Sequence, residues 1–312
     1  LTADIAFPAL ALFNLLRFPI LVLPMQIQNI INGKVSLKRL QDYLDAEDKQ
    51  EPPAADLAPG EAVRVEKADF KWAVGAAGGG DSGAASQPVL RDVSLSIPRG
   101  QLVVVVGKVG SGKTSLLQAV LGEMACSHGK VATAGSFAFT AQEPWIRNAS
   151  LRDNVLSNAP YDEERYKLAL EACALGPDLD MLPAGDMSEI GEKGINLSGG
   201  QRHRVALARA LYANADVYLL DDPLSAVDAH VGNHLFERCI CGAMAGKTRV
   251  LVTHQTQFAD SADMIYVMDD GMVTHSGTYS QLVDQGVEFS TLATSHARSE
   301  EGSGGQGGPD SA

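Results

Sequence analysis

The sequence predicts an α/β fold, built on a mixed sheet and preceded by one apolar helix that is long enough to cross a membrane. Three observations predict it. Leu102–Val106 is a continuous apolar run, typical of a central parallel strand buried on both faces. Segments with helical periodicity lie between this run and two similar ones, as the crossovers of a parallel sheet require. Near the start of the chain, Ile5–Ile31 is apolar over nearly its whole length.

Strands of two kinds are expected. Alternation with period 2 indicates antiparallel strands with one buried face, and an Asp-Gly turn between two apolar runs indicates a hairpin. Short continuous apolar runs indicate buried parallel strands. The alternating strands are Val63–Trp72 and Val93–Ile97, the hairpin pairs Met264–Met268 with Met272–Val273, the other buried runs are Tyr218–Leu220 and Val250–Val252, and the expected helices are Lys113–Glu123, Glu163–Ala174, Gln201–Tyr212 and Val231–Met244.

The composition is that of a packed globular protein with an excess of acidic residues. The chain has 312 residues, of which 45% are hydrophobic and 20% charged, and its formal net charge is −13. A chain of this length forms one large domain with additions, or two domains. The acidic total argues against a protein that coats nucleic acid with a basic face. Because the sequence begins with Leu1 rather than Met, we expect a piece of a longer polypeptide.

The four cysteines have neither the spacing of a disulfide framework nor that of a Cys-x-x-Cys metal site. Cys239 and Cys241 form a Cys-x-Cys pair, and two interpretations of it stay open. One is a metal site, and the other is a pair of reduced thiols in a cytosolic fold. We favour the thiols.

The apolar segment Ile5–Ile31 exceeds the roughly 20 residues that a membrane helix needs. Basic residues near the start of the next helical segment, Val35–Leu44, are typical of a cytoplasmic flank. The alternative is a buried helix of a soluble domain. Further along, Asp45–Gly60 has the composition of a linker, Ala73–Pro88 that of a flexible insertion, and residues 297–312 that of a disordered tail.

The first motif with chemical meaning is GKVGSGKT at residues 107–114, which fits the phosphate-loop pattern. It follows a buried strand and begins a helix, as that pattern requires. Its glycines let backbone N–H groups surround phosphates, and the helix N-terminus adds a positive dipole end. Lys113 is expected to contact the β- and γ-phosphates, and Thr114 to offer a hydroxyl to Mg²⁺. The alternative, a glycine-rich turn, does not explain the Lys-Thr pair.

A second signal is the pair Asp221-Asp222 at the end of the apolar run VYLL. A carboxylate at the end of a buried strand, beside a phosphate loop, is where P-loop enzymes hold their metal ion. We therefore expect Asp221 to hold Mg²⁺ through water. The alternative is an aspartate that only ends the strand.

The third signal is LSGGQ at residues 197–201, where Ser198 opens a helical segment. Taken alone, it predicts no more than a serine-capped helix. Together with the two motifs above, it resembles the signature of ATP-binding-cassette (ABC) ATPases, which are P-loop NTPases. The resemblance covers residues 61–296 and implies a mixed sheet core, an antiparallel β subdomain and a helical subdomain. It also implies ATP and Mg²⁺ as cofactors.

Other motifs of that family follow in the family's order. Gln142 resembles the Q-loop glutamine, and Ser225–Asp228 resembles the D-loop. His254 resembles the switch histidine, and Trp72 the aromatic residue that stacks on adenine. The resemblance implies as catalytic residues Asp222, His254 and Gln142, as metal ligands Thr114, Gln142 and Asp221, and as ATP-binding residues Trp72, Gly107, Val109, Gly110, Ser111, Gly112, Lys113, Thr114, Ser115, Ser198, Gly199, Gly200 and Gln201.

The N-terminal segment and the stretches AQEPWIRNASLRDNVL and DDPLSAVDAHVGNHLF narrow the resemblance to the C subfamily, the multidrug-resistance-associated proteins. They resemble the last helix of the first membrane domain and the first nucleotide-binding domain of those transporters. The implied organisation is a membrane helix with its cytoplasmic extension at 1–44, a linker at 45–60, the nucleotide-binding domain at 61–296 and a linker tail at 297–312. The implied partners are a second nucleotide-binding domain of the same transporter, in a head-to-tail pair, the membrane domains and the lipid bilayer, but no nucleic acid.

Asp222 stands where hydrolytic members of this family carry Glu. Its side chain is shorter by one methylene, about 1.5 Å by typical bond lengths, and a misplacement of about 1 Å can slow a reaction on the order of 100-fold. We therefore expect this site to bind Mg-ATP and hydrolyse it poorly, while Ser198–Gln201 completes the site of the second domain. The surface around Gln142, Pro144 and Trp145 is expected to dock on the membrane helices, unless Trp145 is simply packed.

Three functions are compatible with these residues. The first is ATP-driven export of organic anions or conjugates by an integral membrane protein with a cytoplasmic nucleotide-binding domain, in a vacuolar or plasma membrane that the sequence does not identify. A nucleotide-gated channel or regulatory ABC module is the alternative. The third is a soluble ABC ATPase of translation or chromosome type, against which Ile5–Ile31 argues.

Overall fold

The computed structural model describes residues 2–45, 57–72, 87–191 and 195–289. The chain divides into two compact units, Leu1–Gln50 and Glu51–Ala312. The expected tail, and the parts of the expected linker and insertion at 46–56 and 73–86, lie outside the described residues.

The first unit contains helix α1, Ala3–Leu44, whose 42 residues rise over roughly 63 Å at 1.5 Å per residue. By length and composition α1 can cross a bilayer, and its mean hydropathy reaches 1.9. The hydrocarbon core of a bilayer is about 30 Å thick, so the helix is longer than one span. The polar segment Val35–Leu44 continues it without a break. Its large apolar side chains, among them Phe13 and Phe18, are exposed.

The second unit is organised around a mixed sheet. Its strands are β3 (Leu102–Gly107), β5 (Phe137–Thr140), β8 (Val217–Asp221), β9 (Thr248–Val252), β10 (Met264–Asp269) and β11 (Met272–Gly277). In the described part of the chain the strand order is β11-β10-β3-β9-β8-β5. All neighbours are parallel except β10 and β11, which form the expected hairpin. The α/β fold class is thereby confirmed.

A second, antiparallel sheet consists of β1 (Glu61–Lys71), β2 (Leu90–Pro98) and β4 (Ala125–Thr133), in the order β2-β1-β4. Val63 of β1 lies opposite Ile97 on one side and Thr133 on the other. The sequence predicts β1 and β2 but not β4. The reason is that β4 is exposed along most of its length and therefore carries no apolar alternation.

The hydrophobic core has two layers, one on each side of β3. Val104 and Val106 belong to the layer that holds the helices after β5, whereas Val103 and Val105 belong to the layer under the antiparallel sheet. Each of these valines is at most 1% exposed, which stabilises the fold by about 1.5–3 kcal/mol per side chain. β3 is therefore held rigidly from both faces, and the loop that follows it starts from a fixed point.

Helices and short elements complete the second unit. Helices α3 and α4 each pack on α6, and together the three form the expected helical subdomain. In the described ranges of the second unit the helices are α2 (Lys113–Val120), α3 (Leu151–Leu156), α4 (Glu163–Ala172), α5 (Gly176–Met181), α6 (Gly199–Ala213), α7 (Ala229–His234) and α8 (Tyr279–Asp284). The same ranges contain the short strands β6 (Ala149–Ser150) and β7 (Glu189–Ile190) and the 3₁₀ turns Gly185–Met187 and Thr256–Ser261.

The segment Val231–Met244, expected to be helical, is helical as far as Ala243, but the helix changes type along its length. α7 ends at His234, and a π-helix, Leu235–Ala243, continues it. Its wider turn is marked by the Met244 N–H, which donates to the Cys239 carbonyl at 2.9 Å, five residues back. The apolar spacing of the segment suits either type of helix, so periodicity could not distinguish them.

Candidate nucleotide-binding site

Four loops of the second unit meet at one edge of the mixed sheet, because each follows a parallel strand, namely β3, β5, β8 or β9. Ligands of open α/β sheets bind outside these carboxyl ends. A cavity of about 220 Å³ opens there, smaller than the roughly 300–1,000 Å³ of pockets that enclose a whole ligand. It is lined by Val89, Val109, Gly110, Gly112, Lys113, Thr114, Ser115, Gln142, Asp221, Asp222, Val252 and His254.

The loop between β3 and α2 depends on glycine at two positions. Gly112 has φ +99°, in the left-handed region, and a Cβ there would lie 2.8 Å from Leu90 Cδ2. At Gly107 a Cβ would lie 2.3 Å from the carbonyl oxygen of Met268. A side chain at either position would push the loop away from the sheet. The glycines thus bring the loop backbone to the mouth of the cavity at the start of α2.

The ammonium of Lys113 is held by the same loop. Nζ donates to the carbonyls of Gly107 at 2.9 Å and Lys108 at 2.7 Å. Burial lowers the pKa of Lys113 to about 8, and the nearby carboxylates of Asp222 and Asp221 act in the opposite direction. A buried cation lacking full compensation favours an anionic ligand. Phosphate oxygens provide such a charge.

Thr114 and Asp221 form the polar floor of the cavity. Thr114 Oγ1 donates to Asp221 Oδ1 at 3.2 Å. Asp221 is 2% exposed, and in the described ranges no donor reaches its second oxygen, Oδ2. Burial raises the pKa of this carboxyl group. An orphaned carboxylate oxygen beside a hydroxyl fits a hard divalent cation such as Mg²⁺, which prefers oxygen ligands.

Asp222 lies next along the chain, buried and in an unusual backbone conformation. Its φ is +48°, a region that Asp adopts more readily than most residues. Its N–H donates to the Val252 carbonyl at 2.9 Å, and its carbonyl accepts from Ser225 Oγ at 2.9 Å. The side chain lines the cavity together with Gln142 and His254. The structure therefore brings the three expected catalytic residues to one cavity.

Some expected ATP-binding residues lie outside this lining. Trp72, which follows β1, is 46% exposed. Gly107 and Ser111 belong to the loop between β3 and α2 but do not line the cavity. None of Ser198–Gln201 lines the cavity. Conversely, Val89 and Val252 line it but were not predicted. Val252 ends β9 just before the histidine motif, a position that could have indicated it, whereas Val89 carries no such signal.

Ser198–Gln201 forms a closed cap at the start of α6. Ser198 Oγ accepts from the Gln201 N–H at 3.2 Å, and Gln201 Oε1 accepts from the Ser198 N–H at 2.8 Å. This reciprocal pair is a capping box. Gly200 packs closely on the expected D-loop, since a Cβ there would lie 3.0 Å from the Ala226 carbonyl oxygen.

Asp178 of α5, which was not predicted, secures this cap. Its Oδ1 accepts from Gln201 Nε2 at 2.9 Å, and its Oδ2 accepts from Arg204 Nη2 at 2.7 Å. Asp178 is 5% exposed, so its charge depends on these partners. The side-chain amide of Gln201 is thus engaged at both its oxygen and its nitrogen.

The loop after β5 contacts α6 at two points. The Gln142 carbonyl lies 3.1 Å from His203 Nε2. Arg209 Nη1 donates to the Trp145 carbonyl at 2.9 Å, and its guanidinium lies over the indole ring. The Trp145 side chain is 67% exposed, at a groove that also includes Pro144. Gln142 and Trp145 are therefore anchored through their backbone, while the indole ring stays open to solvent.

The Cys-x-Cys pair takes two different environments. Cys239 is fully buried in the π-helix, with its Sγ 3.7 Å from that of Cys173, the residue that follows α4, whereas Cys241 is half-buried. Burial raises the pKa of the Cys173 thiol well above its ordinary value.

The fold, the glycine loop and the carboxylates at its side define a P-loop ATP-binding domain. A model of the family described as "ABC transporter" matches residues 90–225. The chain is 48% identical over 288 residues to ATP-binding cassette sub-family C member 2 of Mus musculus, covering 91% of this chain and 18% of that protein. It is 45% identical over 312 residues to ATP-binding cassette sub-family C member 3 of Rattus norvegicus, covering 98% of this chain and 20% of that protein. For member 3 of Homo sapiens the identity is 46% over 305 residues, covering 96% of this chain and 19% of that protein.

This chain belongs to the ABC transporter family as a nucleotide-binding domain of the C subfamily, which confirms the resemblance drawn from its motifs. It spans about a fifth of the length of the curated relatives that it matches.

Proposed function

We propose that this chain is the ATP-binding cassette of a membrane transporter and couples ATP binding and hydrolysis to the export of organic anions or conjugates. The observation that carries the proposal is the convergence of Lys113, Thr114, Gln142, Asp221 and His254 on one cavity at the sheet edge. The similarity of this chain to members of ABC sub-family C, which extends over nearly its whole length, supports the transport function.

The phosphates of ATP lie, in this proposal, on the loop before α2. Lys113 leaves the carbonyls of Gly107 and Lys108 and donates to phosphate oxygens instead. Thr114, Gln142 and Asp221 hold Mg²⁺, which supplies charge neutralisation on the phosphate oxygens. His254 would donate to the terminal phosphate, and Trp72, which does not line the cavity, would stack on the adenine.

Asp222 makes this site weakly hydrolytic. Its carboxylate orients the attacking water less well than the longer Glu would, because it stops about 1.5 Å short. Its backbone is fixed by bonds to Val252 and Ser225, so the main chain cannot advance to make up the difference. In this proposal, Mg-ATP stays bound at this site for longer than the time of one turnover at a fully hydrolytic site.

The signature residues Ser198–Gln201 serve a second nucleotide-binding domain of the same transporter. Their absence from this chain's own cavity supports that role, because a head-to-tail pair requires the signature to face the partner's nucleotide. Residues 61–296 form the cytoplasmic domain of this pair, and α1 is a membrane helix within 1–44, extended into the cytoplasm. The exposed indole of Trp145, with Pro144, docks on the membrane domains.

Transport by the full-length polypeptide that contains this chain tests the proposal. Inside-out vesicles are supplied with a radiolabelled glutathione conjugate, with and without ATP. Lys113→Met is expected to lower ATP-dependent uptake at least about tenfold, since it removes a charge-assisted contact worth about 1.5–3 kcal/mol. The control is Lys108→Met in the same loop, because the Lys108 side chain is 57% exposed and pairs only with Asp269 at 3.6 Å among the described residues.

Equal uptake by both variants would contradict the assignment of Lys113. ATP-dependent current without conjugate uptake would replace the exporter with the nucleotide-gated channel.

A further inference from the structure

His203 connects the nucleotide cavity to the signature helix. It lies on the first turns of α6 and is 6% exposed. Its Nδ1 lies 3.0 Å from the carbonyl oxygen of Gly199 within the signature, and its Nε2 lies 3.1 Å from the carbonyl oxygen of Gln142. One buried imidazole therefore touches both the signature and the backbone of a residue that lines the cavity, although 61 positions separate it from Gln142.

The contact between His203 and Gln142 lies where a movement of Gln142 would act directly on α6. Gln142 lies two residues beyond β5, at the sheet edge, and is one of the residues that line the cavity. α6 belongs to the helical subdomain and carries Ser198–Gln201 at its first turn. The second contact of this loop with α6, from Arg209 to Trp145, is farther along and on the solvent side. Of these two contacts, His203 is the one through which the loop after β5 reaches the signature turn.

We propose that His203 is a positioning residue, which transmits the position of Gln142 in this chain's cavity to the signature that serves the second site. This inference rests on the proposed function. Both ring nitrogens face carbonyl oxygens, which only accept hydrogen bonds. In this proposal the tautomer carries its hydrogen on Nε2, and the imidazole donates to Gln142. Nucleotide that moves Gln142 then moves α6 with it, and Ser198–Gln201 follows as part of the same helix.

Two substitutions separate the two contacts of the imidazole. In His203→Gln the amide nitrogen stands near the place of Nε2 and donates to Gln142. In His203→Asn the amide nitrogen stands near the place of Nδ1 and reaches only Gly199. Both are uncharged amides of similar polarity, so they differ chiefly in which contact they keep.

The experiment measures steady-state ATP hydrolysis by the full-length polypeptide, together with photolabelling of this chain's cavity by azido-ATP. His203→Asn is expected to lower kcat about three- to tenfold, the range that corresponds to one net hydrogen bond, and to leave KM and photolabelling within about twofold of wild type. His203→Gln is expected to restore kcat to within about twofold. The reason is that the phosphate loop sets ATP affinity, whereas the signature acts only in the closed pair.

Other outcomes overturn the inference. A wild-type kcat in His203→Asn shows that the contact transmits nothing. An equal loss in His203→Gln and His203→Asn, or a loss of photolabelling in His203→Asn, shows that the imidazole only stabilises the fold. The wild-type protein is measured before any variant. If it shows neither ATP hydrolysis nor photolabelling, the result contradicts the proposed function itself and not the role of His203.

Discussion

Thr114 and Asp221 are 107 positions apart, yet the threonine Oγ1 donates to the carboxylate Oδ1 at 3.2 Å. The contact follows from the topology. β3 and β8 both flank β9 in parallel orientation, so the loop after β3 and the end of β8 meet at one edge of the sheet. Among the described residues the second carboxylate oxygen, Oδ2, is buried and has no hydrogen-bond partner, and such an oxygen fits a hard divalent cation.

Asp221→Asn therefore weakens the contribution of Mg²⁺ to nucleotide binding. The amide keeps an acceptor for Thr114 but loses the charge, and loss of a metal-site group of this kind costs about 10–100-fold in metal affinity. We expect the gain in azido-ATP photolabelling on adding Mg²⁺ to fall at least about tenfold, while labelling in EDTA changes little. The control is Asp284→Asn on the exposed face of α8. An unchanged Mg²⁺ dependence in Asp221→Asn would remove this residue from the metal site.

Asp222→Glu tests the weak hydrolysis of this site. The longer side chain brings the carboxylate about 1.5 Å nearer to the attacking water, and we expect hydrolysis at this site to rise at least about tenfold. The measurement is vanadate-dependent trapping of nucleotide on this chain, in a full-length protein whose second domain has lost its own catalytic carboxylate. Asp222→Asn is the matched control and should not gain activity. If Asp222→Glu traps nucleotide no faster than wild type, the short side chain is not what limits the site.

Asp178→Ala is expected to loosen the signature without touching the cavity. The pair Asp178–Arg204 has side-chain exposures of only 6% and 14%, and removing one partner of a buried pair costs about 3–5 kcal/mol. Hydrogen exchange of α5 and α6 should speed up accordingly, and ATP hydrolysis should fall while photolabelling of the cavity persists. The control is Asp186→Ala, because its partner Arg152 is more exposed and the pair contributes about 1 kcal/mol or less. Equal effects of the two substitutions would contradict the prediction.

Glu61 makes the antiparallel sheet sensitive to acid. The hydroxyl of Ser96 donates to Glu61 Oε1 at 2.7 Å, and with the Ala58 N–H and Arg64 it holds the pKa of this carboxyl group below its ordinary value of 4.5. A lowered pKa in the folded state means that the charged form stabilises the fold. The stabilisation is complete above about pH 4.5 and is lost as pH falls through the lower, folded-state pKa.

Hydrogen exchange of β1 and β2 should therefore differ between wild type and Glu61→Gln at pH 7 and converge below pH 4. Comparing the two proteins at the same pH removes the intrinsic pH dependence of exchange. A difference that stays constant from pH 7 to pH 3 would show that Glu61 acts without its charge.

The sequence predicts the site best where chemistry and local structure share one contiguous pattern. Residues 107–114 follow a buried strand and open a helix, so strand, loop and helix all indicate the same phosphate site. Asp221 is found in the same way, since it ends an apolar run. The buried strands are predicted for the same reason, because burial on both faces of a sheet leaves a short, unbroken apolar run.

His203 and Asp178 escape prediction because their roles exist only in three dimensions. His203 meets Gln142 across 61 positions, and Asp178 meets Gln201 across 23 and Arg204 across 26. In the sequence alone, His203 is one polar residue of an expected helix. Asp178 is one acidic residue in a segment for which the sequence predicts no helix or strand. Strand β4 and the π-helix escape for a related reason, since their hydrogen bonds, not their side-chain patterns, define them.

The amide of Gln201, bound at its oxygen by Ser198 and at its nitrogen by Asp178, has a consequence for the energetics of pairing. A free glutamine side chain loses up to about 1.5–2 kcal/mol of rotamer entropy when it is immobilised. Because the Gln201 side chain is already immobilised in the folded domain, it loses this entropy once, during folding, and not again in each catalytic cycle. In the domain pair proposed above, the entropy still to be lost on closure would be mainly that of domain rotation and translation, which a shared polypeptide would restrict. The signature of this chain is therefore preorganised, and in the proposed pair its closure would cost less side-chain entropy than with a mobile Gln201.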